Sequence, residues 1–117
     1  MNESEMKERT KTFALRILKL SDALPRTRSG NAIANQIVRS GSSVGANYRA
    51  LCRAKSRPDF IHKTSVVEEE ADETAFWFEL IIAAKLLNAA RIKPLLKEAN
   101  ELTAIAVATR KTASSRA

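Results

Sequence analysis

The sequence predicts an all-α protein that folds as an antiparallel up-down-up-down four-helix bundle. The chain has 19 alanines but only six aromatic residues, whereas strands favour β-branched and aromatic side chains. The three prolines, Pro25, Pro58 and Pro94, fall where the apolar periodicity breaks and so divide the chain into four segments. Each segment carries apolar residues at intervals of three and four, which is the spacing of one face of a helix.

The first helix is predicted over residues 3–24. Asn2 and Glu5 have the spacing of a helix cap, and Leu18 is expected to widen the apolar stripe. A loop of sequence LPRTRSG then reverses the chain, so the second helix should run antiparallel to the first. The stripe of the first helix consists of Phe13, Ile17, Leu20 and Leu24.

The second helix is predicted over residues 30–54. Its two internal glycines, Gly41 and Gly45, each cost about 1 kcal/mol relative to alanine, so we expect a neighbouring helix to approach closely there. Asn47 is the amide in this region and is expected to bridge helices. The apolar stripe consists of Ile37, Val44, Tyr48 and Leu51.

The third helix is predicted over residues 57–90 as the central scaffold. Ser56 and Asp59 have the spacing of a capping box, and Pro58 suits a first helical turn. Trp77 lies beside the apolar stripe, where it either covers the edge of the core or belongs to an interface. The stripe consists of Phe60, Thr64, Val67, Ala71, Thr74, Phe78 and Ile81, and the polar side holds Glu68, Glu69, Glu70, Asp72, Glu73 and Glu79.

The fourth helix is predicted over residues 94–111, starting near Pro94 and packing through small residues. Residues 113–117 are basic and serine-rich without an apolar stripe, so we expect a frayed tail. Residues 1–112 then form a single domain, which agrees with a length of 117 residues.

The net charge of +7 is unevenly distributed along the chain. Residues 1–28, 29–63, 64–90 and 91–117 carry +3, +5, −5 and +4. This asymmetry suits either attachment to a polyanion or charge-complementary contact between copies of the chain.

The expected location is the cytoplasm. The sequence contains no apolar run long enough to span a membrane, and the N-terminus lacks the apolar core of a signal peptide. The single cysteine, Cys52, cannot form an internal disulfide and is assigned a packing role.

No catalytic residue, metal ligand or cofactor site is predicted. A di-metal site in a helical bundle uses Glu-x-x-His pairs, but the single histidine, His62, is preceded at that spacing by Asp59. The spacing of Arg57 and His62 resembles the Arg-x4-6-His motif of HEPN ribonucleases, in which the histidine acts in acid/base chemistry and the arginine steadies the phosphate. We keep a HEPN-like ribonuclease as a remote alternative.

A basic cluster on the second helix and the connection beyond it has two interpretations. Its side chains either track the phosphates of a nucleic acid, or they offset the helix dipole and pair with the acids of the third helix. Arg16 and Lys19 are weaker candidates for phosphate contacts. The cluster consists of Arg39, Arg49, Arg53, Lys55 and Arg57.

Two strings carry a resemblance to a known family: QIVRSGSSVGANYRALCRAKSRPDFIHK and, further on, VEEEADETAFWFEL. Together they resemble the four-helix-bundle proteins encoded in 23S rRNA intervening sequences, over roughly residues 10–110. Many members continue Asn-Ile-Ala-Glu-Gly where this chain has Asn-Tyr-Arg-Ala-Leu, so a role of that glutamate does not carry over. The family's signature Gln-Ile-x-Arg-(Ser/Ala)-x-x-Ser-(Ile/Val)-x-x-Asn is met by Gln36, Ile37, Arg39, Ser40, Ser43, Val44 and Asn47, and its Ser-x-x-Asp-Phe by Ser56, Asp59 and Phe60.

The resemblance implies a homo-oligomer, most simply a pentameric ring, because structurally characterised relatives assemble in that way. A related bundle, the accessory variability determinant of diversity-generating retroelements, is a basic pentamer that works with RNA and a reverse transcriptase. The leading hypothesis is therefore a non-enzymatic oligomer that binds RNA or DNA, and the alternative is an adaptor ring that docks a partner enzyme. The residues assigned to contacts between copies are Asn47, Tyr48, Glu69, Asp72, Glu73 and Trp77.

Overall fold

Four helices in consecutive antiparallel contact make up the chain in the computed structural model, which describes residues 1–116. Helix α1 spans Glu3–Ala23, α2 Arg28–Leu51, α3 Arg57–Ala83 and α4 Ala89–Ser115. They form a bundle of 49 × 23 × 20 Å, and the described residues contain no strand. The predicted all-α four-helix fold is confirmed. Among neighbouring helices, α1 and α4 touch least, although a bidentate ion pair between Arg9 and Glu98 joins them.

The buried faces follow the predicted stripes, except that Leu18 is exposed and Tyr48 and Phe60 are only half-buried. Phe13 of α1 and Phe78 of α3 meet edge to face across the core, with ring centroids 6.3 Å apart. The close approach predicted at the α2 glycines is also present, since Gly41 packs on Ile17 and Gly45 on Thr10. Leu18 does not widen the core, because its side chain is 45% exposed.

The predicted caps of α1 and α3 are present. The Asn2 side chain accepts a hydrogen bond from the Glu5 backbone N–H at 2.8 Å, and the Ser56 hydroxyl accepts one from that of Asp59 at 3.2 Å. Helix α2 begins two residues earlier than predicted, because Thr27 caps it by accepting from the backbone N–H of Gly30. It also ends at Leu51 rather than at residue 54.

The prediction that α3 continues to residue 90 is wrong. Lys85 has φ 56°, and the backbone N–H of Leu86 donates to the Ile81 carbonyl at 3.1 Å, which is the arrangement of a Schellman cap. Such caps are usually marked by glycine, and lysine stands here, so the sequence gives no visible stop. The chain turns over residues 84–88 instead.

The predicted bounds of the fourth helix are wrong at both ends. Asn88 caps α4 by accepting from the backbone N–H of Ala90 at 2.9 Å, so the helix starts before Pro94, which lies inside its second turn. At the other end α4 continues to Ser115. Residues 113–115 of the predicted frayed tail are therefore helical, and Ala117 lies outside the described residues.

Candidate nucleic-acid interface

Four of the five predicted basic residues lie together where α2 passes into α3. Arg49 is in the last turn of α2, Arg53 and Lys55 are in the connecting turn, and Arg57 is the first residue of α3. All four are exposed. We call these four residues the basic end of the bundle. Because α2 stops at Leu51, the cluster is spread over a helix, a turn and the next helix rather than along one helix.

The charges of the basic end are not neutralised within residues 1–116. The side chains of Arg49, Arg53 and Lys55 make no ion pair with any carboxylate described there. Arg57 donates from Nε and Nη2 to the backbone carbonyl of Ala113 in α4, at 2.9 and 2.7 Å. This contact orients the guanidinium but leaves its positive charge unpaired, so all four side chains remain available to an anion.

Arg39 is separated from this group. It precedes Arg49 by ten residues, which is about 15 Å along a helix, and it forms an ion pair with Glu73 and a longer one with Glu70 at 3.4 Å. Glu73 also accepts a hydrogen bond from the Trp77 indole N–H at 3.0 Å. That hydrogen bond and those from Arg39 lower the pKa of Glu73, against the opposing effect of burial. Arg39 thus pairs with acids of the third helix, whereas the residues of the basic end form no such ion pair in residues 1–116.

Further cations lie near the basic end and were not included in the predicted cluster. Because α4 runs antiparallel to α3 and its Ala113 contacts Arg57, the exposed Lys111 and Arg116 come to the same end of the bundle. On the other side, Lys11 of α1 lines a groove with Arg49. These residues are far apart in sequence, and only the antiparallel packing brings them together.

An apolar cavity of about 490 Å³ opens at the same end, where the N-terminal turns of α1 and α3 meet the C-terminal turns of α2 and α4. Tyr48, which was assigned to contacts between copies, is half-buried and lines this cavity together with Cys52. The thiol of Cys52 is half-buried, and burial raises its pKa. Burial, and then a hydrogen bond with Cys52, raises the pKa of Tyr48 to about 12.

The titration of Tyr48 tests this environment directly, because the chain has a single tyrosine. We expect the ultraviolet absorbance of tyrosinate to rise with a midpoint near pH 12 in the folded protein and near 10.0 in urea. Because the pKa of Tyr48 is higher in the folded state, the neutral phenol's contribution to stability is complete below pH 10.0. It is lost as the pH rises through about 12. Tyrosinate formation near pH 10 while circular dichroism still reports helices would contradict the half-buried position of Tyr48.

The other residues assigned to contacts between copies take different positions. Asn47 does not bridge helices, because its amide donates to the Ser43 carbonyl of its own helix at 2.8 Å. Trp77 is half-buried and packs against the core edge. Glu69 and Asp72 are exposed on α3, and Glu73 is held by Arg39 and Trp77. Phe76 was not singled out from the sequence, yet it is the exposed aromatic side chain of α3.

The residues considered for catalysis do not converge. His62 is exposed, and Arg57 is held by the Ala113 carbonyl. Five residues apart on one helix, the two side chains point about 140° away from each other at 3.6 residues per turn. Over residues 1–116, no group of three or more His, Cys, Asp or Glu side chains is arranged to hold a metal ion.

None of the helices described for residues 1–116 has the length and apolarity needed to cross a membrane.

The chain matches a family model over most of its length and superposes closely on a solved structure of another protein. A comparison with curated proteins gives no significant match. A crystal structure of a protein with unknown function from the S23 ribosomal protein family of Bacteroides thetaiotaomicron superposes with a TM-score of 0.86 at 32% identity, covering 95% of this chain and 99% of that one. Residues 2–108 match the model of the 23S rRNA-intervening sequence protein family. With this match over nearly the whole bundle, the chain belongs to the family of 23S rRNA-intervening sequence proteins.

Proposed function

We propose that the protein is a non-enzymatic homo-oligomeric bundle that binds RNA or another nucleic acid through its basic end. The observation that carries the proposal is that Arg49, Arg53, Lys55 and Arg57 lie together, exposed, and without a carboxylate partner in residues 1–116. Unpaired lysines and arginines gain free energy from phosphates chiefly by releasing the counterions of the nucleic acid.

The arrangement favours phosphate contacts over the reading of bases. The four side chains come from three successive segments around one end, so they can follow a backbone rather than enter a groove as one helix would. The aromatic side chains of this region, Tyr48 and Phe60, are half-buried and so offer little surface for stacking. We therefore expect little sequence preference and a strong dependence on salt.

Assembly would strengthen such binding. Each copy carries a net charge of +7, so an oligomer presents several basic ends to one polyanion, and the second and later contacts become intramolecular. A pentamer is the size expected from the family resemblance. The assembly is part of the proposal, and its contacts are considered in the next subsection.

Titration of the protein against a fluorescent structured RNA and a matched DNA duplex, at several salt concentrations, tests the proposal. We expect log Kd to depend linearly on log salt, with roughly 0.7 to 0.9 per neutralised phosphate. In the variant Arg49→Glu with Arg53→Glu, we expect affinity to fall at least about tenfold and the slope to decrease by about 2, because two phosphate contacts are lost.

The matched control is Arg26→Glu with Arg28→Glu, which changes the net charge equally at the opposite end of the bundle. We expect it to bind nearly as the wild type does. Equal weakening in both variants would show a diffuse charge effect and contradict the basic end as the site. If the wild type binds neither nucleic acid at low salt, the proposal fails, and the adaptor that docks a partner protein replaces it. Cleavage of the RNA that is lost in His62→Ala would instead establish the ribonuclease.

A further inference from the structure

Two large apolar side chains are exposed on α1, on the side that faces away from the core. Leu15 is 56% exposed and Leu18 is 45% exposed. They lie three residues apart and therefore on one face, which is separated from the buried face of Phe13 and Ile17. Isolated surface leucines are ordinary, but an adjacent pair on one helix face forms a small apolar patch whose exposure to water costs free energy. We call Leu15 and Leu18 the α1 patch.

Helix α3 also carries an exposed apolar side chain on the side away from the core. Phe76 is 53% exposed, and its ring and the Trp77 indole meet in an edge-to-face arrangement with centroids 5.1 Å apart. Leu80, one turn later, is only partly buried. The Trp77 indole N–H donates to Glu73 at 3.0 Å, which orients the indole beside Phe76. We call Phe76, Trp77 and Leu80 the α3 patch.

The charges around the two patches are complementary. Lys11 and Lys19 lie one turn before and one turn after Leu15, and both are exposed. Exposed acids surround Phe76, with Asp72 one turn before it and Glu79 close after it. Within residues 1–116 none of these four charges forms an ion pair. Glu8 and Asp22, at the two ends of the α1 face, are its exposed acids.

The two patches lie at similar heights on opposite sides of the bundle. Helices α1 and α3 run in the same direction. They lie diagonally in the bundle, since α1 packs mainly on α2, and α3 packs on both α2 and α4. Phe13 and Phe78 touch across the core, and Leu15 and Phe76 each lie two residues from them. At 1.5 Å per residue, Leu15 and Phe76 differ in height by about 6 Å. A rotation about an axis roughly parallel to the bundle therefore brings the α1 patch of one copy close to the α3 patch of another.

We propose that copies of this chain associate through a head-to-tail contact in which the α1 patch of one copy packs against the α3 patch of the next. Apolar side chains meet at the centre of this contact, and Lys11 and Lys19 meet Asp72 and Glu79 at its rim. Because the two surfaces differ, each copy contacts two neighbours, and the assembly closes into a ring where the rotation permits. This inference rests on the assembly in the proposed function and assigns the surfaces that form it.

Light scattering of two purified variants, separately and mixed, tests the contact. One variant, Leu15→Asp with Leu18→Asp, loses the α1 patch, and the other, Phe76→Asp, loses the α3 patch. We expect the wild type to be an oligomer and each variant alone to be a monomer. An equimolar mixture should form heterodimers of twice the monomer mass, because one intact α1 patch and one intact α3 patch remain. Ala104→Asp, at an exposed position of α4, is the control and should assemble as the wild type does.

Each other outcome overturns a specific statement. A monomeric wild type overturns the assembly in the proposed function, whereas nucleic-acid binding at the basic end is measured independently. An oligomeric wild type whose two variants also assemble fully overturns the assigned surfaces and leaves the assembly standing. Dimers formed by either variant alone would show that like patches pair, which contradicts the head-to-tail contact. Circular dichroism of each variant establishes that the exposed substitutions leave the helices intact.

Discussion

Replacing Phe78 with alanine is expected to lower the free energy of unfolding by about 4 kcal/mol. Phe78 is fully buried and meets Phe13 edge to face at 6.3 Å, so the substitution removes apolar contacts, ends an aromatic pair and leaves a cavity between α1 and α3. Since domains of this size are stable by about 5 to 15 kcal/mol, the loss is a large part of the total. Urea denaturation followed by circular dichroism at a fixed subunit concentration measures it.

Phe76→Ala is the matched control, two residues away on the same helix. Phe76 is 53% exposed, so its loss should change the stability of the isolated bundle by less than about 1 kcal/mol. Its effect should instead depend on protein concentration, because the α3 patch is proposed to contact a second copy. Equal, concentration-independent losses in the two variants would contradict the burial of Phe78 and the exposure of Phe76.

Gly30→Ala is expected to destabilise the protein by about 2 kcal/mol or more. A β-carbon at this position would overlap the carbonyl oxygen of Pro25 and lie 3.2 Å from the Thr27 hydroxyl, which caps α2. The Pro25 carbonyl belongs to the backbone and cannot rotate away, so the α1–α2 connection must shift. We take about 3 kcal/mol for this overpacking, reduced by about 1 kcal/mol because alanine favours a helix more than glycine does.

Gly45→Ala makes the same chemical change where there is nearly enough room. Its β-carbon would meet the Thr10 side chain at 3.3 and 3.5 Å, which is slightly tight or ordinary contact. The small strain and the gain in helix propensity should nearly cancel, so the stability should stay within about 1 kcal/mol of the wild type. Thermal and urea unfolding of the two variants side by side measure the difference. If Gly30→Ala were as stable as Gly45→Ala, the close approach at Pro25 would be excluded.

Elements with a local signal were predicted well. The spacing of Phe13, Ile17 and Leu20 predicted the buried face of α1, and the Ser56 cap predicted the first residue of α3. Helix ends without such a signal were missed: the end of α3 has lysine where glycine is usual, and Asn88 starts α4 ahead of the expected Pro94. Helix ends of this kind leave little signal in the sequence, because tertiary packing can stabilise a helix that ends at any of several neighbouring residues.

The candidate site was predicted only in part. Arg49, Arg53, Lys55 and Arg57 lie together because they are neighbours in sequence, and their role in binding stays a prediction. Whether each is free or paired depends on carboxylates elsewhere in the chain, and Arg39 finds its partners more than thirty residues later, on α3. Phe76 was not singled out because it is adjacent in sequence to Trp77 and Phe78, and an apolar residue beside a strong stripe can lie at the core edge or on the surface.

By itself, the sequence determined the fold class, the four-helix order and the family, because apolar spacing, prolines and caps act within a few residues of each other along the chain. The tertiary structure decided which charges remain free and which apolar side chains stay exposed. Those properties depend on residues from different helices, such as Ala113 beside Arg57 or Glu73 beside Arg39, whose distances are set by packing. Burial and ion pairing fall off over a few ångströms in space, so they can be assigned only once the helices are placed.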